Sequence, residues 1–210
     1  EYKNRNIIAN PNCSTIQMLV ALKPIHDKVG ITRINVATYQ AVSGTGKEAI
    51  EELAKQTADL LNGRQVTCNV YPKQIAFNVL SADGSFDPAA GTLRERRLLV
   101  SLQKQLPGVQ VRVRQFIVPV FYGAVLDVRW THMQALPRAD VLAACASVAN
   151  LEVHEARDGE TLPTPVSQGV SNITGSLSRL QVEAHDAMAC VLADPLRIDD
   201  RPARIPIRSA

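Results

Sequence analysis

Cys13 follows a Pro11-Asn12 turn and opens an apolar run beginning Ser14-Thr15-Ile16, so this thiol is delivered to the first turn of a predicted helix. Unpaired backbone N–H groups and the positive end of the helix dipole lower a thiol pKa at such a position and favour the nucleophilic thiolate. The same N–H groups can stabilise an oxyanion on a carbonyl that the sulfur attacks. The turn equally suits a small buried cysteine, because free cysteines are commonly core residues. Local sequence leaves both readings open.

A second candidate is Ser43-Gly44-Thr45-Gly46-Lys47, which ends like a phosphate-binding loop. It fails as one: Ala41 occupies the place of the first glycine, and Glu48 stands where Ser or Thr should follow the lysine. A glycine-rich turn ahead of a helix still allows a ligand to approach closely, with N–H groups facing an anion. No GxGxxG fingerprint is found, so the main fold for any dinucleotide is not in this chain. The four histidines lie in no metal-ligand spacing, and the four cysteines (Cys13, Cys68, Cys145, Cys190) are far apart with no CxxC pair. No metal site is expected, and the cysteine usage fits a reducing cytoplasm rather than a secreted disulfide framework.

These side chains need a scaffold, and the composition supplies one. Of 210 residues, 46% are hydrophobic, enough to bury a core, while no apolar run approaches a membrane span. The net charge of +3 is mild and aromatics make up only 4%, so stacking platforms for bases are scarce and nucleic-acid binding is not expected.

Periodicity places the elements. Ser14 to about His26 is apolar nearly all round, the mark of a buried helix, and Gly30 ends it. Ile31 to Val42 alternates and is β-branched, which predicts a strand. Lys47 to Leu61 reads as an amphipathic helix closed by Asn62-Gly63. Ile75 to Leu80 reads as a short strand and Ser81 to Gly91 as loop. Thr92 and Glu95 have capping-box spacing ahead of Leu98, Leu99, Leu102 and Leu106, predicting a helix. Val109, Val111 and Val113 alternate with polar residues as a strand with one wet face. Pro119 to Gly123 interrupts it, and Val125 to Trp130 continues the sheet. Asp140 is a candidate N-cap for a helix to Val148, and Leu151 to Val153 is a short strand. Beyond Asp158 the signal weakens, and residues 194–210 read as a loosely ordered tail. The sum is one α+β domain over residues 1–193, with helices packed on one face of a mostly antiparallel or mixed sheet.

Four segments together resemble the aspartate-semialdehyde dehydrogenase family: residues 10–17 (Asn-Pro-Asn-Cys-Ser-Thr-Ile-Gln), 37–49 (Ala-Thr-Tyr-Gln-Ala-Val-Ser-Gly-Thr-Gly-Lys-Glu-Ala), 72–78 (Pro-Lys-Gln-Ile-Ala-Phe-Asn) and 118–123 (Val-Pro-Val-Phe-Tyr-Gly). The likeness is near complete to about Asn78, patchy to Gly123 and faint beyond, with Leu162-Pro163-Thr164-Pro165 a late echo. It covers the family's catalytic and dimerisation half, which implies a glyceraldehyde-3-phosphate dehydrogenase-like C-terminal fold, a homodimer, and an NADP-binding Rossmann domain preceding Glu1 and absent here.

The resemblance further implies a reaction. The family's cysteine attacks the aldehyde of aspartate semialdehyde, hydride passes to NADP⁺, and phosphate releases the thioester as aspartyl phosphate, in lysine, threonine and methionine synthesis. Cys13 matches the nucleophile and Gln40 the glutamine that positions substrate; Ser43, Gly44 and Gly46 match the turn near the nicotinamide. Asn12 and Arg97 are the expected substrate and phosphate contacts. This is covalent catalysis by an activated thiolate.

The match also fails in places. The family's arginine two residues before the proline of Val118-Pro119-Val120 is Ile117 here, and the histidine after Gly123 is Ala124. Isoleucine cannot clamp a carboxylate, and alanine cannot move a proton, a service worth about 10²–10⁴ in rate. Arg114 and His132 are possible stand-ins. The family's Glu-x-x-Lys reads Arg94 and Arg97, and its C-terminal cofactor motif reads Ala193-Asp194-Pro195-Leu196-Arg197. The isolated chain is therefore expected to have little or no activity, and a catalytically degenerate dimerisation module is the alternative. The same cysteine logic would serve an N-acetyl-glutamyl-phosphate reductase-like enzyme, but the Gln40-to-Lys47 segment favours the aspartate enzyme.

Overall fold

The computed structural model describes residues 6, 12–81, 84, 86–149, 151–155, 162–168 and 175–193. The predicted tail 194–210, with the residues expected to replace the C-terminal cofactor motif after Ala193, lies outside the described residues, as do Asn10 and Pro11 of the first motif.

Helix α1 (Cys13–Val29) is buried on almost every side, as its apolar circumference requires; Met18, Ala21, Leu22 and Ile25 are at most 1% exposed. Gly30 ends it in the left-handed region (φ 63°), where its N–H reaches the His26 carbonyl. Strand β1 (Ile31–Gln40) follows, then a 3₁₀ turn (Val42–Thr45) and helix α2 (Lys47–Leu61). The strand stops at Gln40, two residues short of the sequence expectation, because Val42 and Ser43 turn away to bond the 118–123 segment.

Two-residue strands β2 (Phe86–Asp87) and β3 (Gly91–Thr92) lead into helix α3 (Leu93–Gln105). Its predicted capping box forms in full: Glu95 N–H donates to the Thr92 hydroxyl, and Thr92 N–H donates to the Glu95 carboxylate. Then come β4 (Gln110–Ile117), β5 (Ala124–His132), α4 (Arg138–Ala146), β6 (Leu151–His154), the short α5 (Pro165–Gln168), β7 (Gly175–Val182) and β8 (Asp186–Ala193). Six strands form one mixed sheet in the order β4-β1-β5-β8-β7-β6, with β1/β4 and β6/β7 parallel and the other pairs antiparallel.

Helices α1, α3 and α4 share one core with the inner sheet face: Met18, Leu22, Leu98, Leu102 and Val141 meet Ile34, Val36, Leu126, Val128, Trp130 and Leu177. A second cluster of Val42, Leu53, Tyr71, Ile75, Leu80 and Ile117 packs α2 and the 70–80 loop against the end of β4. This is the α+β architecture expected.

Other sequence expectations change as well: the expected loop Ser81–Gly91 contains β2 and the start of β3. Ile75–Leu80 is no strand: its ladder is a single bridge from Leu80 to Ile117, Phe77 has φ 56°, and the Ile75 and Ala76 N–H groups go to the Gln56 side chain instead. Pro137, not Asp140, is the N-cap of α4, because Pro supplies the fixed φ one position before the helix and Asp140 falls in the first turn. The weak-signal region contains β7 and β8, which are interior strands of the sheet.

His132, at the end of β5, is 3% exposed. Its pKa lies below the ordinary 6.5, first because burial disfavours the imidazolium and then because His185 adds like charge; Asp186 and the Ala184 backbone oppose the shift. A lowered folded-state pKa means the unfolded chain takes a proton that the folded one refuses. Stability is therefore full above pH 6.5 and falls as pH drops from there toward the folded pKa. Denaturant titrations across that window are expected to show this decline, with a slope of at most about 1.4 kcal/mol per pH unit for one proton, and His132→Leu is expected to flatten it.

Candidate active site

The site is built where three chain segments meet at the ends of α1, β1 and β5. Cys13 is the first residue of α1 and is half-buried. Asn12 caps the helix, its side-chain oxygen accepting from Ser14 N–H at 2.9 Å. Asn12 is thus spent on fixing the turn that carries the cysteine.

Gln40 ends β1, 6% exposed, and its amide nitrogen donates to the Ser14 hydroxyl at 2.6 Å. That bond ties the strand end to the residue beside Cys13. Alternation along β1 puts Thr38 and Gln40 on the helix-facing side, so a contact between Gln40 and the first turn of α1 is what the sheet geometry dictates. A Cβ on Gly44 would lie 3.5 Å from Gln40 Oε1, so the absence of a side chain at Gly44 leaves space beside the amide oxygen.

The turn itself is zipped to the Val118–Gly123 segment. Ala41, Val42 and Ser43 N–H groups donate to Gly123, Val120 and Phe121 carbonyls, and Val118 N–H donates to the Gln40 carbonyl. Gly44 and Gly46 N–H groups donate back to Ala41 and Ser43. The N–H groups of Ser43, Gly44 and Gly46 are therefore committed inside the protein, and the sequence expectation that they face an anion is replaced by an exposed backbone surface at Gly44 and Gly46. Gly46 has φ 119° and open space where a side chain would be, a conformation that favours glycine. At Gly123 (φ 89°) a Cβ would meet Pro165 at 3.3 Å, so the Leu162–Pro165 segment packs against the same corner.

Thr45 closes the turn on its other side. Its hydroxyl accepts from Tyr71 OH at 2.8 Å and from Arg94 at 3.2 Å. Arg94, from the first turn of α3, is the arginine that reaches the turn; Arg97 lies one turn further along with an exposed side chain. Sequence reasoning missed Ser14, Thr45 and Tyr71. Ser14 carried a local signal in its adjacency to Cys13, and Thr45 in its place between Gly44 and Gly46; Tyr71 carried none.

Register places the two departures from the family pattern. Gln40 is paired with Ile117 on one side and Ala124 on the other, both at most 3% exposed. The row that flanks Gln40 is apolar on both sides. Neither stand-in reaches it. His132 is at the far end of β5, about 26 Å from Ala124 at strand rise; Arg114 pairs with Ala37, on the opposite sheet face, and lies 4.0 Å from Glu95. Among the described residues no group of three or more His, Cys, Asp or Glu is arranged to hold a metal ion.

The other cysteines differ from Cys13 in setting. Burial pushes the Cys145 thiol up to about 11. Cys190 is raised by burial and then by Asp127, against an opposing hydrogen bond from Arg179. Cys68 is exposed. Iodoacetamide at pH 8 is expected to label Cys145 and Cys190 last, read peptide by peptide by mass spectrometry; fast labelling of Cys145 would contradict its burial.

A family model described as "Semialdehyde dehydrogenase, dimerisation domain" matches residues 22–198. Aspartate-semialdehyde dehydrogenase of Shewanella violacea is 43% identical over 202 residues, covering 94% of this chain and 59% of that protein. The Vibrio mimicus enzyme of the same name is 55% identical over 125 residues, 59% of this chain and 40% of the relative. Among solved structures, aspartate semialdehyde dehydrogenase II of Vibrio cholerae superposes with TM-score 0.87 at 40% identity, over 93% of this chain and 59% of that one; the same enzyme complexed with ASA matches equally well at 39% identity. A Candida albicans enzyme with NADP shares the fold at 18% identity and TM-score 0.59, over 89% of this chain and 52% of that one. The chain thus spans a little under 60% of the length of the first curated relatives it matches.

Proposed function

The chain belongs to the semialdehyde dehydrogenase family through its dimerisation domain, and from that premise we propose that it is the catalytic half of an NADP-dependent aspartate-semialdehyde dehydrogenase. In this reading Cys13 sulfur adds to the aldehyde carbon, the thiohemiacetal gives up a hydride and its hydroxyl proton to become a thioester, and a phosphate oxygen attacks the acyl carbon, forming the acyl phosphate and expelling the Cys13 thiolate. The observation that carries the reading is the joining of Cys13, through Ser14, to Gln40 and the glycine turn. NADP⁺ when bound supplies the hydride acceptor. The exposed, side-chain-free backbone of Gly44 and Gly46, beside Ser43, fits the close approach of a flat ring; the remainder of the cofactor site falls to a dinucleotide-binding domain outside residues 1–193. Asn12 fixes the nucleophile's turn. Arg97, on the exposed side of α3, serves as a phosphate contact.

A specific observation favours a second reading, a degenerate dimerisation module. Ile117 and Ala124 flank Gln40 and offer neither a cation for a substrate carboxylate nor a proton carrier. The sheet face away from α1 meanwhile presents Tyr39 stacked on Phe116 (ring centroids 5.6 Å apart) among Arg33, Arg112 and Arg129, a surface suited to a second copy of the chain in a homodimer. All four cysteines are free, which supports a cytoplasmic setting; among the described residues no helix is long and apolar enough to cross a membrane.

The test uses the encoded protein, with any sequence that precedes Glu1, aspartate semialdehyde, NADP⁺ and phosphate. Phosphate-dependent NADPH formation supports the enzyme reading. A dimer by analytical ultracentrifugation with no turnover supports the module instead.

A further inference from the structure

We propose that Ser14 is a positioning residue for Gln40, a role that rests on the reading of Cys13 and Gln40 as reaction partners. Ser14 is 2% exposed, and its hydroxyl receives the Gln40 amide N–H at 2.6 Å within the protein interior. A glutamine amide presents an oxygen acceptor and two N–H donors on either side of one rotatable bond. The bond to Ser14 ties the amide of Gln40 to the first turn of α1, with the nitrogen end on the hydroxyl. Oε1 is left on the Gly44 side, where the missing side chain keeps an approach open.

Among the described residues, the bond to Ser14 is the one side-chain hydrogen bond shown for the Gln40 amide. Its strand neighbours in register are Ile117 and Ala124, and neither side chain offers a donor or an acceptor. Its backbone carbonyl is taken by Val118 N–H, which holds the chain but not the amide. Ser14 is itself held, since its N–H donates to the Asn12 side chain in the cap that presents Cys13. One residue therefore ties the nucleophile's turn and the position of the substrate-positioning amide to each other.

The test is a double-mutant cycle of Ser14→Ala and Gln40→Ala, with Ser14→Thr as the conservative control, in the encoded protein. Two readouts are used: turnover of aspartate semialdehyde, and the rate of iodoacetamide labelling of Cys13. A positioning role predicts that Ser14→Ala lowers kcat about tenfold, the scale of one buried hydrogen bond, that Ser14→Thr restores most of it, and that Ser14→Ala costs less than twofold more once Gln40 is alanine. Labelling of Cys13 is expected to shift in the same direction in both single variants and no further in the double. Wild-type kcat in a folded Ser14→Ala protein, or additive losses in the double variant, would overturn the role. Turnover retained by Cys13→Ala would instead overturn the reaction assignment, and the labelling cycle would still decide the coupling of Ser14 to Gln40.

Discussion

Cys13→Ala is expected to eliminate phosphate-dependent NADPH formation, a loss on the order of 10⁴-fold or more, as removal of a covalent nucleophile produces elsewhere. The residue next to Cys13 is no substitute. The neighbouring hydroxyl of Ser14 is buried and engaged with Gln40. A hydroxyl also needs a base to become nucleophilic, whereas a thiol is partly ionised near neutrality. Cys13→Ser is therefore expected to be as inert as the alanine variant. Steady-state rates, together with mass spectrometry of protein mixed with substrate, check this: an acyl mass on the peptide that contains Cys13 should vanish in both variants. Cys68→Ala is the control, because Cys68 is exposed and its sulfur accepts from Gln56 of α2, and it should leave the rate unchanged. A Cys13→Ala protein within tenfold of wild type would end the covalent reading.

The largest loss of stability traceable to one polar group is expected at Glu52. Its carboxylate, 7% exposed on α2, accepts the N–H groups of Asn69 (2.6 Å), Val70 (2.7 Å) and Tyr71 (3.2 Å). One turn later Gln56 does the same for Ile75 and Ala76. These two side chains replace the ladder that residues 69–76 lack as a strand. Glu52→Ala removes the acceptor of three N–H groups at once. Each such bond to a charged group is worth about 1.5–3 kcal/mol, and water can make up part of the loss at exposed Asn69, so a net loss of about 3 kcal/mol is expected. Chemical denaturation with a constant m-value is the measurement.

The same substitution reaches the site, because Tyr71 is both a tenant of Glu52 and the donor to Thr45 in the glycine turn. Tyr71→Phe keeps the backbone bond to Glu52, loses the hydroxyl bond to Thr45 and is expected to cost about 1 kcal/mol. If Glu52→Ala proved no more harmful than Tyr71→Phe, the carboxylate clamp would not be what holds the loop.

These two residues show where the sequence was readable. The cysteine turn, the Gly30 stop, the Thr92–Glu95 capping box and the alternation of β1 and β4 all rest on neighbours within about four positions, and each forms as expected. Ile75–Leu80 has the composition of a strand, yet its N–H groups are claimed by a glutamine some twenty residues away, so composition misassigned it. Strands β7 and β8 drew no expectation, because their segment follows a Gly-, Pro-, Ser- and Thr-rich stretch. β8 is nonetheless flanked by ladders on both sides, to β5 and β7.

By itself, then, the sequence determined the helix start at Cys13 and the local caps and strands around it, since caps, glycine φ values and period-2 alternation act over a few residues. Only the tertiary structure decided what those residues face. It set Gln40 between Ile117 and Ala124, joined it to Ser14, brought Arg94 to Thr45 and left His132 at the wrong end of β5. Each of these pairings spans tens of residues along the chain. They are selected by strand register and by burial of polar groups that must find partners, and neither has a signature within a short window of sequence.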